Sequence, residues 1–188
     1  MDKQKEILNA ALKLFVEFGF HGTPTSKIAS EAGVANGTLF HYYKTKDDLV
    51  IALYNSIKQD LSAYLFSKIG EHDSLETKFK TIFIHTLNWA LSHRQQFYYI
   101  QQFHLSPHIT KLSEEVIQQQ TKPHLMLIEE GMKAKVLKPM PVQLNYTLVS
   151  SYIFGIYQYL TNTDLSPAKQ KKIIADSYQM MWEMISIR

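Results

Sequence analysis

The chain of 188 residues contains no cysteine. That one absence excludes disulfides, thiolate zinc sites, iron–sulfur clusters and a thiol nucleophile. It fits a reducing compartment, and a cytoplasmic location is expected. Glycine and proline are scarce, at seven and six, and the period-two alternation that marks strands is missing. The charged start, Met-Asp-Lys-Gln-Lys-Glu, lacks the apolar core and small-residue cleavage site of a secretory signal. Charge of one sign is also missing. The net charge is +3, and residues 1–48 set six lysines against six acids. A polyanionic partner for this segment must therefore be argued from placement, not from bulk charge.

From Pro139 to Thr163 no charged residue occurs for 25 positions, long enough to span a bilayer. The stretch also holds Gln143, Asn145, Thr147, Ser150, Ser151, Gln158, Thr161 and Asn162, which lipid would leave without partners. It reads as a helix buried against protein, and no membrane partner is expected. The motifs of common enzyme chemistry are missing as well. There is no Gly-x-Gly-x-x-Gly, Gly-x-Ser-x-Gly, P-loop or His-Glu-x-x-His, and no Glu-x-x-His pair for a di-iron bundle. His104 and His108 are four apart, but Pro107 lies between them and starts a new helix, so no metal site and no cofactor is expected.

What the chain does have is apolar residues at spacings of three and four, the mark of an all-α protein of about nine helices. Ile7, Ala11, Leu14, Phe15 and Phe18 form one stripe, which Gly19 closes. A short helix follows at about 24–31, with Thr23 as N-cap and Pro24 at the first helical position. Gly33 turns the chain, and a third helix runs from about Asn36 to Tyr43 with Leu39 and Tyr43 inward. Thr45-Lys-Asp-Asp48 reads as a capping box that opens a longer helix. Asp73 with Glu76 starts the next. Ser106-Pro107 and Ser166-Pro167 each read as a cap plus first helical residue, and Pro123 either kinks one long helix or separates two.

Three short helices and then a long one make the geometry of a helix-turn-helix DNA reader. The outward face of the third helix offers Asn36, Thr38, His41 and Tyr42, followed by Lys44 and Lys46. Gly37 leaves its first turn free to approach a phosphate or base edge. Taken singly, these aromatics could be core and the lysines a solvated helix start. The whole block carries more. Ile7-Leu-Asn-Ala-Ala-Leu-Lys-Leu-Phe-Val-Glu-Phe-Gly-Phe20, Thr23, Ile28-Ala-Ser-Glu-Ala-Gly-Val34 and Gly37-Thr-Leu-Phe-His-Tyr-Tyr-Lys-Thr-Lys-Asp-Asp-Leu49 resemble, without a gap, the N-terminal domain of the TetR family of transcriptional regulators.

The resemblance implies a helix-turn-helix domain over 1–46 and a helical ligand-binding and dimerisation domain over 47–188. It implies phosphate contacts from Thr25 and Ser26 and major-groove entry by Asn36, Gly37 and Thr38. His41 would meet a base edge or phosphate, and Tyr42 and Lys46 would hold the backbone. Position 40 is commonly Tyr in the family and is Phe40 here, which trades a phenol contact for a conceivable thymine-methyl contact. Position 43 is commonly Phe and is Tyr43 here, whose hydroxyl is expected to reach the domain edge. The partner implied is double-stranded DNA with a palindromic operator.

Residues 81–110 hold one fixed charge, Arg94, beside six aromatics. A small-molecule pocket needs such a surface, and the same residues could equally fill a bundle core. In the resembled family this region forms the inducer pocket. The candidate lining is His85, Trp89, Arg94, Phe97, Tyr98, Phe103 and His104, with Tyr152 and Tyr157 from the uncharged stretch. No acid lies between Glu76 and Glu114, so a largely apolar, neutral or mildly acidic inducer is expected. The last two helices, about 142–162 and 167–187, are the candidate homodimer surface. Ser151 and Gly155 would permit close approach, and Ile174, Tyr178, Met181, Trp182 and Ile185 would form the stripe. An intramolecular helix pair could bury that same stripe. The function expected is a homodimeric repressor released by an inducer. The alternatives are a DNA-binding regulator without an inducer and, from another class, an all-α enzyme carrying a helix-turn-helix fold.

Overall fold

The computed structural model describes residues 2–187, and among them every regular element is helical. Nine α-helices form: α1 Lys3–Phe18, α2 Thr25–Glu31, α3 Asn36–Tyr42, α4 Lys46–Phe66, α5 Leu75–Ser92, α6 Arg94–His104, α7 Glu114–Lys133, α8 Val142–Asn162 and α9 Pro167–Ile185. One 3-10 helix, Pro107–Lys111, joins α6 to α7. The chain divides into two compact units. The first takes residues 1–60 and 93–117, and the second takes 61–92 and 118–188.

In the first unit, the Asp2 carboxylate accepts from the Gln4 and Lys5 amides and starts α1. Ile7, Ala11, Leu14 and Phe15 are buried, and Gly19 ends the helix at φ +72°. Thr23 is not the cap of α2. Its hydroxyl is buried and donates to the Leu14 carbonyl of α1 and to the Gly19 carbonyl just past the end of that helix. Pro24 takes the cap position, and α2 begins at Thr25. Gly33 sits at φ +65°, and the Val34 amide donates to Ala29 at 2.9 Å to close the turn. The capping box forms as read. The Thr45 amide donates to Asp48 Oδ2 at 2.9 Å and the Asp48 amide to Thr45 Oγ1 at 3.1 Å.

Helix α6 also packs on α1 within this unit, with Phe97, Tyr99, Ile100 and Phe103 buried. The Ser106-Pro107 signal yields the 3-10 helix, with Ser106 Oγ accepting from the His108 amide. Helix α7 then starts separately at Glu114 and runs through Pro123 without a break.

In the second unit α5, α8 and α9 pack on one another. Helix α5 starts at Leu75, where Ser74 Oγ accepts from the Thr77 amide. Asp73, read as the start signal, instead takes the Gly70 amide at 2.7 Å. Phe79 and Phe83 meet Trp182 and Tyr178 across the packed faces. Gly131 has no room for a side chain, because a Cβ would stand 2.8 Å from Leu137. The uncharged stretch forms α8, with Asn145, Ile153, Tyr157 and Leu160 buried. No helix among the described residues is long and apolar enough to cross a membrane.

Candidate nucleic-acid interface

Helix α3 buries one residue of its seven, Leu39. That single anchor, together with buried Ile28 and Ala29 on α2, holds the helix while its other side chains point outward. Asn36, Gly37, Phe40, His41 and Tyr42 are exposed and Thr38 is half-buried. A Cβ at Gly37 would meet nothing within 4 Å, so glycine there leaves open space in front of the first turn. His41 and Tyr42 stand edge to face, 5.6 Å apart. From the neighbouring elements come half-buried Thr25 and exposed Ser26 on α2, and half-buried Lys46 on α4. All nine residues expected at DNA therefore lie in one unit, on the first turns of α2 and α4 and on α3.

Tyr43 behaves differently from expectation. Its ring is buried and its hydroxyl is enclosed beside the Gln4 side chain of α1, so it does not reach the domain edge. Burial pushes the phenol's pKa up from its ordinary value. The backbone at Tyr43 is extended and its amide still donates to Leu39, which turns the side chain inward before α4 begins.

The candidates for ligand contact are divided. Phe97 and Phe103 are core residues of the first unit, and Phe103 stacks on Tyr54 at 3.9 Å. Their faces are spent on packing. His104, on the same helix, keeps Nε2 3.2 Å from the Tyr54 hydroxyl. Burial, aided by the Lys58 ammonium, holds that imidazole below its ordinary pKa. Arg94 and Tyr98 are exposed. His85, Trp89, Tyr152 and Tyr157 belong to the second unit. There His85 Nδ1 meets the Tyr64 hydroxyl at 3.2 Å, and Tyr152 lies against Phe83. A cleft of about 740 Å³ opens elsewhere in that unit, along Phe66, Ile69, Pro123, Met126 and Leu127, with Lys78, Lys122 and Lys133 among its charged residues. Sequence reasoning missed it because no motif links residues some fifty positions apart. Among the described residues no three His, Asp or Glu side chains gather as a metal site would require.

The apolar stripe of α9 also needs correction as a partner surface. Ile174, Tyr178, Met181, Trp182 and Ile185 are all buried within one chain. Tyr178 donates its hydroxyl to the Glu76 carbonyl at 3.1 Å, and its ring stacks on Trp182. What α8 and α9 leave outward is Ser151 and Gly155 of the expected set, together with Leu144, Leu148 and Tyr159 on α8 and Met180 and Met184 on α9.

Residues 7–53 match the family model for bacterial regulatory proteins of the tetR family. Over its whole length the chain superposes on a TetR-family transcription regulator from Shewanella sp. PV-4, with a TM-score of 0.91, 26% identity and both chains fully covered. Residues 7–53 carry the TetR-family N-terminal domain, and the chain as a whole has the fold of a TetR-family regulator. The uncharacterized HTH-type transcriptional regulator YhgD of Bacillus subtilis is 27% identical over 169 residues, 85% of either chain. The fatty acid metabolism regulator protein of the same organism is 44% identical over 52 residues, and the match spans 27% of its length. These relatives are regulators of transcription, which stands against the all-α enzyme. The strongest local similarity thus coincides with the unit that carries the exposed α3, and the rest of the chain is shared mainly as a fold.

Proposed function

We propose that this TetR regulator is a homodimeric repressor whose α3 helices enter successive major grooves of a palindromic operator, about one turn (~34–36 Å) or a multiple apart. The observation that carries the proposal is the exposure of α3. Five of its seven residues are exposed and Thr38 is half-buried, while Leu39 alone is buried and fixes it. Asn36, Gly37, Thr38, Phe40 and His41 would read bases, and Thr25, Ser26, Tyr42 and Lys46 would hold phosphates. Division into a reader over 1–46 and a ligand and dimer domain over 47–188 remains the functional proposal, with α6 supporting the reader from within the first unit.

The dimer surface is proposed on the outward residues of α8 and α9. Leu144, Leu148, Tyr159, Met180 and Met184 are apolar groups on one pair of packed helices, more than scattered exposure explains. Gly155 faces open space in the single chain and would let a second helix come close. A small, largely apolar inducer acting through the second unit is the proposed release signal. His85, Trp89, Tyr152 and Tyr157 remain its candidate contacts, with the cleft at Phe66 and Met126 as a second entry. An inducer can shift the DNA-binding equilibrium only by its differential affinity for the two states. The packing of Phe97 and Phe103 into the reader core favours a second reading, a regulator without an inducer.

The test is selection of duplexes from a random pool by the intact protein, followed by titration with a small-molecule library. The proposal expects a two-fold symmetric site, and a compound that both raises the melting temperature and weakens DNA binding. A stabilising compound that leaves DNA binding unchanged would remove the inducer. An asymmetric single half-site would remove the dimer.

A further inference from the structure

Helix α6 and the 3-10 helix lie about fifty residues beyond α3, yet both are bound to α4 by polar links on one of its faces. Asp47, Val50 and Tyr54 are spaced three and four apart, so they share that face. The buried Tyr99 hydroxyl donates to the Val50 carbonyl at 2.9 Å. The Tyr54 hydroxyl meets His104 Nε2 at 3.2 Å. At the first turn of α4, Lys111 Nζ donates to Asp47 Oδ2 at 2.5 Å, and His108 Nδ1 stands 3.3 Å from Asp47 Oδ1, close to it but outside hydrogen-bond geometry. Asp48 beside it is engaged in the capping box, so the two adjacent acids have separate duties.

A lone exposed ion pair would contribute little, and Asp47 and Lys111 are each nearly half exposed. His108 changes that. It is buried, meets Phe20 edge to face at 5.1 Å, and lies parallel to Phe103, which in turn stacks on Tyr54. The carboxylate of Asp47 thus lies against one enclosed ring that also packs on the loop after α1 and on α6. Lys46, a proposed phosphate contact, is the preceding residue.

Taking the DNA-reading proposal as given, we propose that Asp47, with Lys111 and His108, is a positioning cluster for operator recognition. It touches no DNA. It fixes the rotation of the first turn of α4 and hence the placement of Lys46 and of α3 against the grooves. Charge alone makes the opposite demand. A carboxylate beside a phosphate contact repels DNA, so its removal should tighten binding to every sequence. Positioning requires that its removal weaken binding to the operator.

The experiment uses the intact protein and a duplex selected in vitro by the wild type, with a scrambled duplex as control, at several salt concentrations. Asp47→Asn is expected to lower operator affinity about tenfold while scrambled-duplex affinity stays equal or rises. Lys111→Met, at an exposed side chain, is expected to act in the same direction, and the double variant should add little to either. Asp47→Glu should recover part of the loss. If Asp47→Asn does not fold, Lys111→Met alone decides: a fall confined to the operator supports positioning. Equal weakening of both duplexes with a shallower salt slope would make Lys111 a direct phosphate contact and overturn the proposal. Unchanged or tighter operator binding by folded Asp47→Asn would overturn it as well. A wild type that selects no duplex would overturn the underlying DNA-reading proposal and this one with it.

Discussion

Helices α3 and α9 make opposite use of similar raw material. Each carries aromatic and apolar side chains at helical spacing. Helix α3 buries only Leu39 and leaves Phe40, His41 and Tyr42 outward. Helix α9 buries Ile174, Ser177, Tyr178, Met181, Trp182 and Ile185. A periodic stripe states that a face is buried, but not whether the partner is the same chain or another. For α3 the context is the turn at Gly33 and the one anchor Leu39, which hold the helix while most of it stays exposed. For α9 the context is supplied by Phe79 and Phe83 on α5, about a hundred residues away.

The comparison can be broken most sharply at Trp182. If its ring belongs to the core of one chain, Trp182→Ala should destabilise the fold by about 3–5 kcal/mol, the cost of a large aromatic cavity. A residue serving only a dimer would leave the unfolding of the dilute monomer unaltered. Chemical denaturation at low and high protein concentration distinguishes the two. Met180→Ala and Met184→Ala, on the outward face, should leave monomer stability nearly unchanged and weaken association instead.

On the α3 side, Thr38→Ala and His41→Ala should each reduce operator affinity by about 1–3 kcal/mol and alter base preference, without a change in melting temperature. Lys46→Ala should weaken all duplexes together and reduce the salt slope by about one unit. Gly155→Arg comes next. Open space at this position means the single chain tolerates the side chain, so light scattering should report a folded monomer and operator binding should lose its bivalent advantage. A stable Gly155→Arg dimer would move the interface off α8.

The smallest expected effect is at Tyr43. The Tyr43 hydroxyl is enclosed with the Gln4 side chain beside it, so Tyr43→Phe should change stability by less than about 1 kcal/mol. An unfolding midpoint that falls by more than that would mean the hydroxyl makes a firm hydrogen bond to Gln4.

These cases show what could be read from the sequence. Local devices were legible because their parts are adjacent: Gly19 and Gly33 at positive φ, the reciprocal bonds of Thr45 and Asp48, and the Ser166 cap of α9 all follow from residues within a few positions. Thr23 was misread because the acceptors of its hydroxyl, the Leu14 and Gly19 carbonyls, belong to the previous helix rather than to the one that follows. The links from Asp47 to Lys111 and from Tyr99 to Val50 span 64 and 49 positions, and no local pattern announces them. Phe97 and Phe103 were legible as apolar surface. The place of Phe103 in the core of the first unit depends on Tyr54 of α4, on which it stacks.

The central claim is that the outward face of α3 reads sequence on a two-fold symmetric site. Selection from a random duplex pool, run in parallel with wild-type protein and with His41→Ala, tests it most directly. The account predicts an enriched inverted repeat for the wild type, with half-sites about one helical turn or a multiple apart, and a changed preference within each half-site for the variant. An enriched site with the same base preference in both proteins, or no enrichment by the wild type, would contradict it.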